Sequence, residues 1–164
     1  MDLITFASLS VTLLAQEAPD TRPSEAETVA RDYMAAYSEM DLDRMERFLS
    51  EDAVFTDRTA LGEDVGPDGL MYESRDAAMG MLREFDAQYQ PIELGFVWDT
   101  IYESNGRVVF MGHVNALYPT QDAAQNYRWR AEQVTVITVR DGQVIRHQDF
   151  ANYANPQRGL VPAN

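Results

Sequence analysis

IELGFVWDTIYESNGRVVFMGHVNALY, residues 92–118, decides the fold class. Ile92, Leu94, Phe96 and Trp98 alternate with more polar neighbours, and Asn105-Gly106 is the dipeptide favoured by two-residue hairpin turns. The stretch therefore reads as two antiparallel strands. Downstream, a polar connection, PTQDAAQN (119–126), leads into the strand YRWRAEQVTVITVR (127–140), which Asp141-Gly142 turns back into QVIRHQDFANY (143–153). Upstream the apolar period changes from two to that of a helix. Ser24 and Glu27 make a capping box, with Val29, Tyr33, Tyr37 and Met40 on one face of a helix over 25–39. Asp41 caps a shorter helix lined by Leu42, Met45, Phe48 and Leu49, and AVFTD (53–57) reads as a strand. Residues 58–73, rich in Gly and acids, read as a loop. Ser74 caps a third helix that buries Ala78, Met81, Leu82, Phe85 and Tyr89. Helices followed by a four-strand antiparallel meander predict an α+β fold, with helices packed on one face of a curved sheet.

The 164 residues suffice for one domain, and 45% apolar content suffices for one core. With 27 acidic against 13 basic residues, the net charge of −14 repels phosphate backbones and anionic lipid. Nucleic acid and membrane surfaces are therefore not expected partners. The absence of cysteine removes disulfides, thiolate metal sites and thiol nucleophiles. Residues 3–15, LITFASLSVTLLA, have the length of the apolar region of a secretory signal cleaved near Ala15, although no Lys or Arg precedes them. A helix packed on the domain is the other reading. The first predicts a periplasmic or secreted protein, the second a cytoplasmic one. Residues 1–23 are thus expected to be signal and linker, 24–155 the domain, and 156–164 an extended tail.

The order of elements over residues 25–153 resembles the SnoaL-like members of the nuclear transport factor 2-like superfamily. YMAAYSEMDLDRMERFLSEDAVFTD (33–57) is similar to that family's opening helices and first strand, and VRDGQVIRHQDFANY (139–153) to its closing hairpin. The resemblance implies a cone-shaped fold in which N-terminal helices pack on a strongly curved, mainly antiparallel sheet. It identifies a reaction less well, because one scaffold hosts many chemistries. Against ketosteroid isomerases, Tyr33 falls on the oxyanion-binding tyrosine and Asp57 on the general base, while Thr135 stands where a protonated acid would donate. Against limonene epoxide hydrolases, GHVNAL (112–117) places His113 on the catalytic arginine and Asn115 on an aspartate. Asp149 corresponds to that family's second aspartate, and Phe55 and Asp57 to its water-binding tyrosine and asparagine.

In the strand 107–118, Val108, Phe110, Val114, Ala116 and Tyr118 share one face, and Val109, Met111, His113, Asn115 and Leu117 the other. Both faces are apolar enough to be buried. The resemblance implies that the His113 face turns inward, which leaves the opposite face for a homodimer partner. Trp129, Gln133, Thr135 and Ile137, and then Ile145, His147 and Asp149, are read as inward on the next two strands.

The expected site is a cup holding Asp57, Tyr33, His113, Asn115 and Asp149 as catalytic groups. Phe55, Trp98, Met111, Leu117, Trp129, Thr135 and His147 would contact the substrate. Burial raises a carboxylate's pKa and a neighbouring imidazolium lowers it, so the two aspartates could divide base and acid roles. Plainer readings stand beside these: Asp57 as a turn cap, Tyr33 as core, and Asp149 in an ion pair with Arg130 or Arg146. The histidines show no H-x-x-x-H spacing, and neither metal nor cofactor is expected. The functional expectation is general acid/base chemistry of isomerase, hydrolase, cyclase or dehydratase type on a small apolar oxygenated molecule. A non-catalytic exported ligand-binding domain and a dimerisation module with a filled cone are the alternatives.

Overall fold

The computed structural model describes residues 22–62 and 65–163. The apolar run 3–15, read above as an export signal or as a packed helix, lies outside them. Ser24 caps α1 (Glu25–Ser38) by accepting from the Glu27 amide at 3.0 Å. Only half of the expected capping box forms, because the Glu27 carboxylate turns to Arg31 one turn later. Asp41 caps α2 (Leu42–Glu46) through the Arg44 amide, and Ser74 caps α3 (Arg75–Tyr89) through the Ala77 amide. Each cap satisfies an amide that the helix itself leaves unpaired.

The strands are β1 (Leu49–Asp57), β2 (Leu70–Tyr72), β3 (Glu93–Ser104), β4 (Arg107–Pro119), β5 (Gln125–Arg140), β6 (Gln143–Ala151) and β7 (Gln157–Pro162). They form one seven-stranded sheet in the order β2-β1-β6-β5-β4-β3, with β7 added against β5. The β3–β6 meander is antiparallel throughout, and only β1 runs parallel to its neighbour, β6. Both hairpin turns place their residues at positive φ: Asn105 at 51° and Gly106 at 73°, Asp141 at 50° and Gly142 at 73°. That is the backbone an Asn-Gly or Asp-Gly pair supplies at least strain.

The three helices cover the concave face, where Tyr33, Met45, Met79, Phe110, Ile137 and Val144 are buried. Two stretches differ from the reading above. The 58–73 loop contains β2, antiparallel to β1, and the 156–164 tail contains β7, paired to residues 125–130 of β5 beyond the end of β6. Backbone pairing at a sheet edge made both, and three to six residues of weak alternation do not announce it.

A third difference decides the site. On β4, Val108, Phe110, Val114 and Ala116 are the buried residues, while Met111 is exposed and His113, Asn115 and Leu117 are half-buried on the convex side. β4 keeps this parity along its whole length, and the irregularity is a bulge in its partner, β3. From the turn up to Thr100↔Met111 the hairpin pairs regularly, but the register then slips, so that Trp98 opposes Gly112 instead of His113. One extra residue exchanges the faces of the β3 residues beyond it. Phe96 and Trp98 point inward as expected, opposite Val114 and Gly112, and His113 and Asn115 are turned out. Gly112 permits the slip, because a Cβ there would sit 1.9 Å from the Val97 carbonyl oxygen.

Candidate functional site

Between the helices and the open end of the sheet lies a cavity of about 620 Å³. Tyr37 of α1, Leu82 and Phe85 of α3, Phe96 of β3, Tyr118 of β4 and Trp129 of β5 form much of its wall. Its polar groups are Asp57, Asp149, Gln133 and the hydroxyls of several tyrosines, including Tyr153. The two aspartates arrive together because β1 and β6 run parallel in a register that makes Phe55 oppose His147 and Asp57 oppose Asp149. Cross-strand partners share a face, so both carboxylates look into the same hollow.

They are held differently. Asp149 is 6% exposed. Its Oδ1 accepts from the Gln133 amide at 2.8 Å and from the Thr135 hydroxyl at 2.5 Å. Its Oδ2 lies 2.8 Å from Nε2 of His147, without the alignment of a directed hydrogen bond. His147 is fully buried, stacked on Phe55 at 4.2 Å, and its Nδ1 is 2.8 Å from the Tyr33 hydroxyl. Burial first, and then the charge of Asp149, hold the Tyr33 pKa well above its ordinary value, so the hydroxyl keeps its proton. With a carboxylate beside Nε2, the consistent assignment puts the imidazole proton there and has Tyr33 donate to Nδ1.

Asp57 borders the cavity more openly. Its Oδ2 accepts from the Tyr153 hydroxyl at 2.5 Å and its Oδ1 from the Thr59 amide at 3.3 Å. Desolvation raises its pKa, Tyr153 and Thr59 pull it back, and the nearby charge of Asp149 raises it again. The outcome is a carboxyl above its ordinary value. Burial and the Asp57 charge push Tyr153 upward as well, so the pair shares a proton that rests on the phenol. A base of raised pKa at the edge of an apolar cup, with a hydroxyl donor attached, suits proton transfer to or from a bound carbon or oxygen acid.

Of the twelve residues singled out from sequence, Asp57, Asp149, Phe55 and Trp129 line the cavity. Tyr33, Thr135 and His147 are each fully buried behind Asp149 and cannot touch a ligand, so their part is to orient that carboxylate. Trp98 is on the inner face but packs between Phe96, at 5.5 Å, and Phe110, at 5.3 Å. His113, Asn115, Met111 and Leu117 are on the convex side, the face of β4 opposite to buried Val108, Phe110, Val114 and Ala116. Asp149 has no tie to the arginines suggested for it, as Arg130 and Arg146 are exposed. Tyr153 and Gln133 complete the site without having been singled out. Gln133 shares the inward parity of Thr135, whereas Tyr153 follows the last β6 residue, where alternation gives no guide.

No curated protein matches the chain significantly. Among solved structures, a candidate SnoaL-like polyketide cyclase from Shewanella putrefaciens CN-32 superposes with a TM-score of 0.68 at 20% identity, covering 81% of this chain and 93% of that one. A second from Shewanella denitrificans OS-217 gives 0.66 at 18% identity, over 79% and 91%. A candidate isomerase from Bacillus subtilis gives 0.57 at 22% identity, over 78% and 86%. At these identities the likeness is one of fold. The family model for the SnoaL-like domain matches residues 30–147, which contain most of α1, all of α2 and α3, the bulged hairpin and most of the cavity wall, with Asp149 and Tyr153 just beyond. With sequence profile, element order and curved sheet in agreement, the chain belongs to the SnoaL-like domain family.

Proposed function

We propose that this protein is an enzyme of the general acid/base kind, acting on a small, largely apolar, oxygenated molecule held in the cone. Asp57 is the base that takes a proton from the substrate, and the Tyr153 hydroxyl, bonded to it, stabilises the carboxylate between turnovers. Asp149 faces the bound molecule as a fixed carboxylate whose orientation is kept by Gln133, Thr135 and the His147–Tyr33 pair. One observation carries this reading: two carboxylates share one aromatic-walled hollow, and neither is held by an arginine. A carboxylate locked in a bidentate arginine pair would be structural, whereas one held by hydroxyls and amides keeps its basicity available.

Isomerisation and cyclisation through an enolate are the reactions that this fold commonly supports, and both begin with removal of a proton beside a carbonyl. The test is hydrogen–deuterium exchange at the α-carbon of small cyclic ketones, followed by proton NMR in deuterated buffer. The protein accelerates exchange above buffer, and Asp57→Asn removes most of the acceleration. Equal rates for both proteins would leave ligand binding without catalysis as the better account. The proposal includes export directed by residues 3–15 and pairing of two copies through the convex face. Val97, Tyr102, Met111 and Phe150, exposed there, support the pairing.

A further inference from the structure

We infer that the molecule taken into the cone carries a positive charge, as a protonated or quaternary amine. The inference rests on the reading of the cavity as a ligand site and names the class of ligand. Ten of the side chains lining the cavity are aromatic. Its ionisable groups other than tyrosines are Asp57 and Asp149, and among the described residues no Lys, Arg or His lines it. The charged groups at the wall are therefore of one sign. An anionic group on the substrate would meet two carboxylates and no lysine, arginine or histidine at the wall, and a wholly neutral molecule would leave their charge unanswered.

A cation answers both problems, because carboxylates attract it directly and aromatic faces attract it through their quadrupoles. The two attractions converge on one place. Trp129 and Tyr153 have ring centroids 5.6 Å apart at 31°, and Tyr153 donates its hydroxyl to Asp57, so this aromatic wall stands beside the carboxyl. Across the cavity, Tyr37 and Phe96 pair at 4.9 Å. A trimethylammonium head in this cavity would have aromatic side chains and the two carboxylates as its neighbours. The chain's net charge of −14 draws such a molecule toward the mouth.

Three probes of nearly one shape separate charge from fit: 4-hydroxyphenyltrimethylammonium, 4-tert-butylphenol and 4-hydroxybenzenesulfonate. Calorimetric titration of the protein at fixed salt and pH 7 gives their dissociation constants, and the Trp129 indole N–H resonance reports whether each sits in the cavity. The ammonium should bind at least about tenfold tighter than the neutral phenol, and the sulfonate weakest. Asp57→Asn and Asp149→Asn should each shrink the ammonium-to-phenol ratio. Equal or tighter binding of the phenol, or a ratio that neither substitution moves, overturns the inference while leaving the cavity as a ligand site. Failure of all three probes to move Trp129 overturns both.

Discussion

Two regions of this sheet carry the polar pairs from which a sequence reader would build an active site, and they end on opposite sides. At the β1/β6 seam, Asp57 and Asp149 are cross-strand partners facing the cavity. In the β3/β4 hairpin, His113 and Asn115 are just as suggestively placed, yet they lie on the convex surface. Composition does not separate the two regions, since both pairs sit in strands that also carry aromatic and aliphatic residues. Register separates them. The seam is in step from Val54 to Asp57, whereas the hairpin slips by one residue between Trp98 and Thr100.

The largest expected effect lies at the seam. Asp57→Asn should lower α-proton exchange about a hundredfold or more, the usual loss when a positioned base is removed. The same substitution should stabilise the fold. A carboxyl whose folded pKa is raised costs stability as pH climbs from the ordinary carboxylate range through that raised value. Asn has nothing to ionise, so its melting temperature should exceed the wild type's more at pH 7 than at pH 4. A variant that loses activity and stability together would make Asp57 a structural cap. Asp149→Ala comes next. It strands the Thr135 hydroxyl, the Gln133 amide and His147 in a buried site, at a cost of about 3 kcal/mol. Urea unfolding with an unchanged slope would measure this, and a loss under 1 kcal/mol would mean that the network is loosely held.

The hairpin has its own test in Gly112→Ala. The added methyl would fall on the Val97 carbonyl and on Trp98 Cα, so backbone must move, at about 2 kcal/mol. A neutral result would show that the slip does not depend on the glycine. Smaller again is Tyr153→Phe, which removes the hydrogen bond that lowers the Asp57 pKa. The rising limb of the pH–rate profile should then move to higher pH. Movement downward would give Tyr153 a different role.

Much of the fold was legible because its signals are local. Ser24, Asp41 and Ser74 cap the helices they were expected to cap, and the Asn-Gly and Asp-Gly turns fall where the hairpins fold back. Asp57 and Phe55 were legible as cavity residues through the family likeness, Trp129 through strand parity, and Asp149 through both. The His113 face was not. A regular hairpin would have placed His113 beside Trp98 and Asn115 beside Phe96, on the inward side, and that is the arrangement simple alternation implies. The bulge leaves Asp99 without a partner, and Gly112, which makes room for it, reads in sequence as one more small residue in a strand. Tyr33, His147 and Thr135 illustrate a different limit. Their parity was right, but depth behind the cavity wall is set by packing that no periodicity reports.

The smallest expected effect sharpens the comparison most, because it predicts silence where sequence predicts chemistry. His113→Ala and Asn115→Ala alter side chains that share a face with Glu132 and Arg130 of the neighbouring strand, on the side away from Asp57. Their effect on α-proton exchange should stay within about twofold and their effect on stability within about 0.5 kcal/mol, as for surface positions that hold no cap, core or network. Light scattering on the same variants separates a change in self-association from a change in turnover. A hundredfold fall in exchange for either substitution, with the fold and assembly intact, would mean that the hollow is lined by the other face of β4.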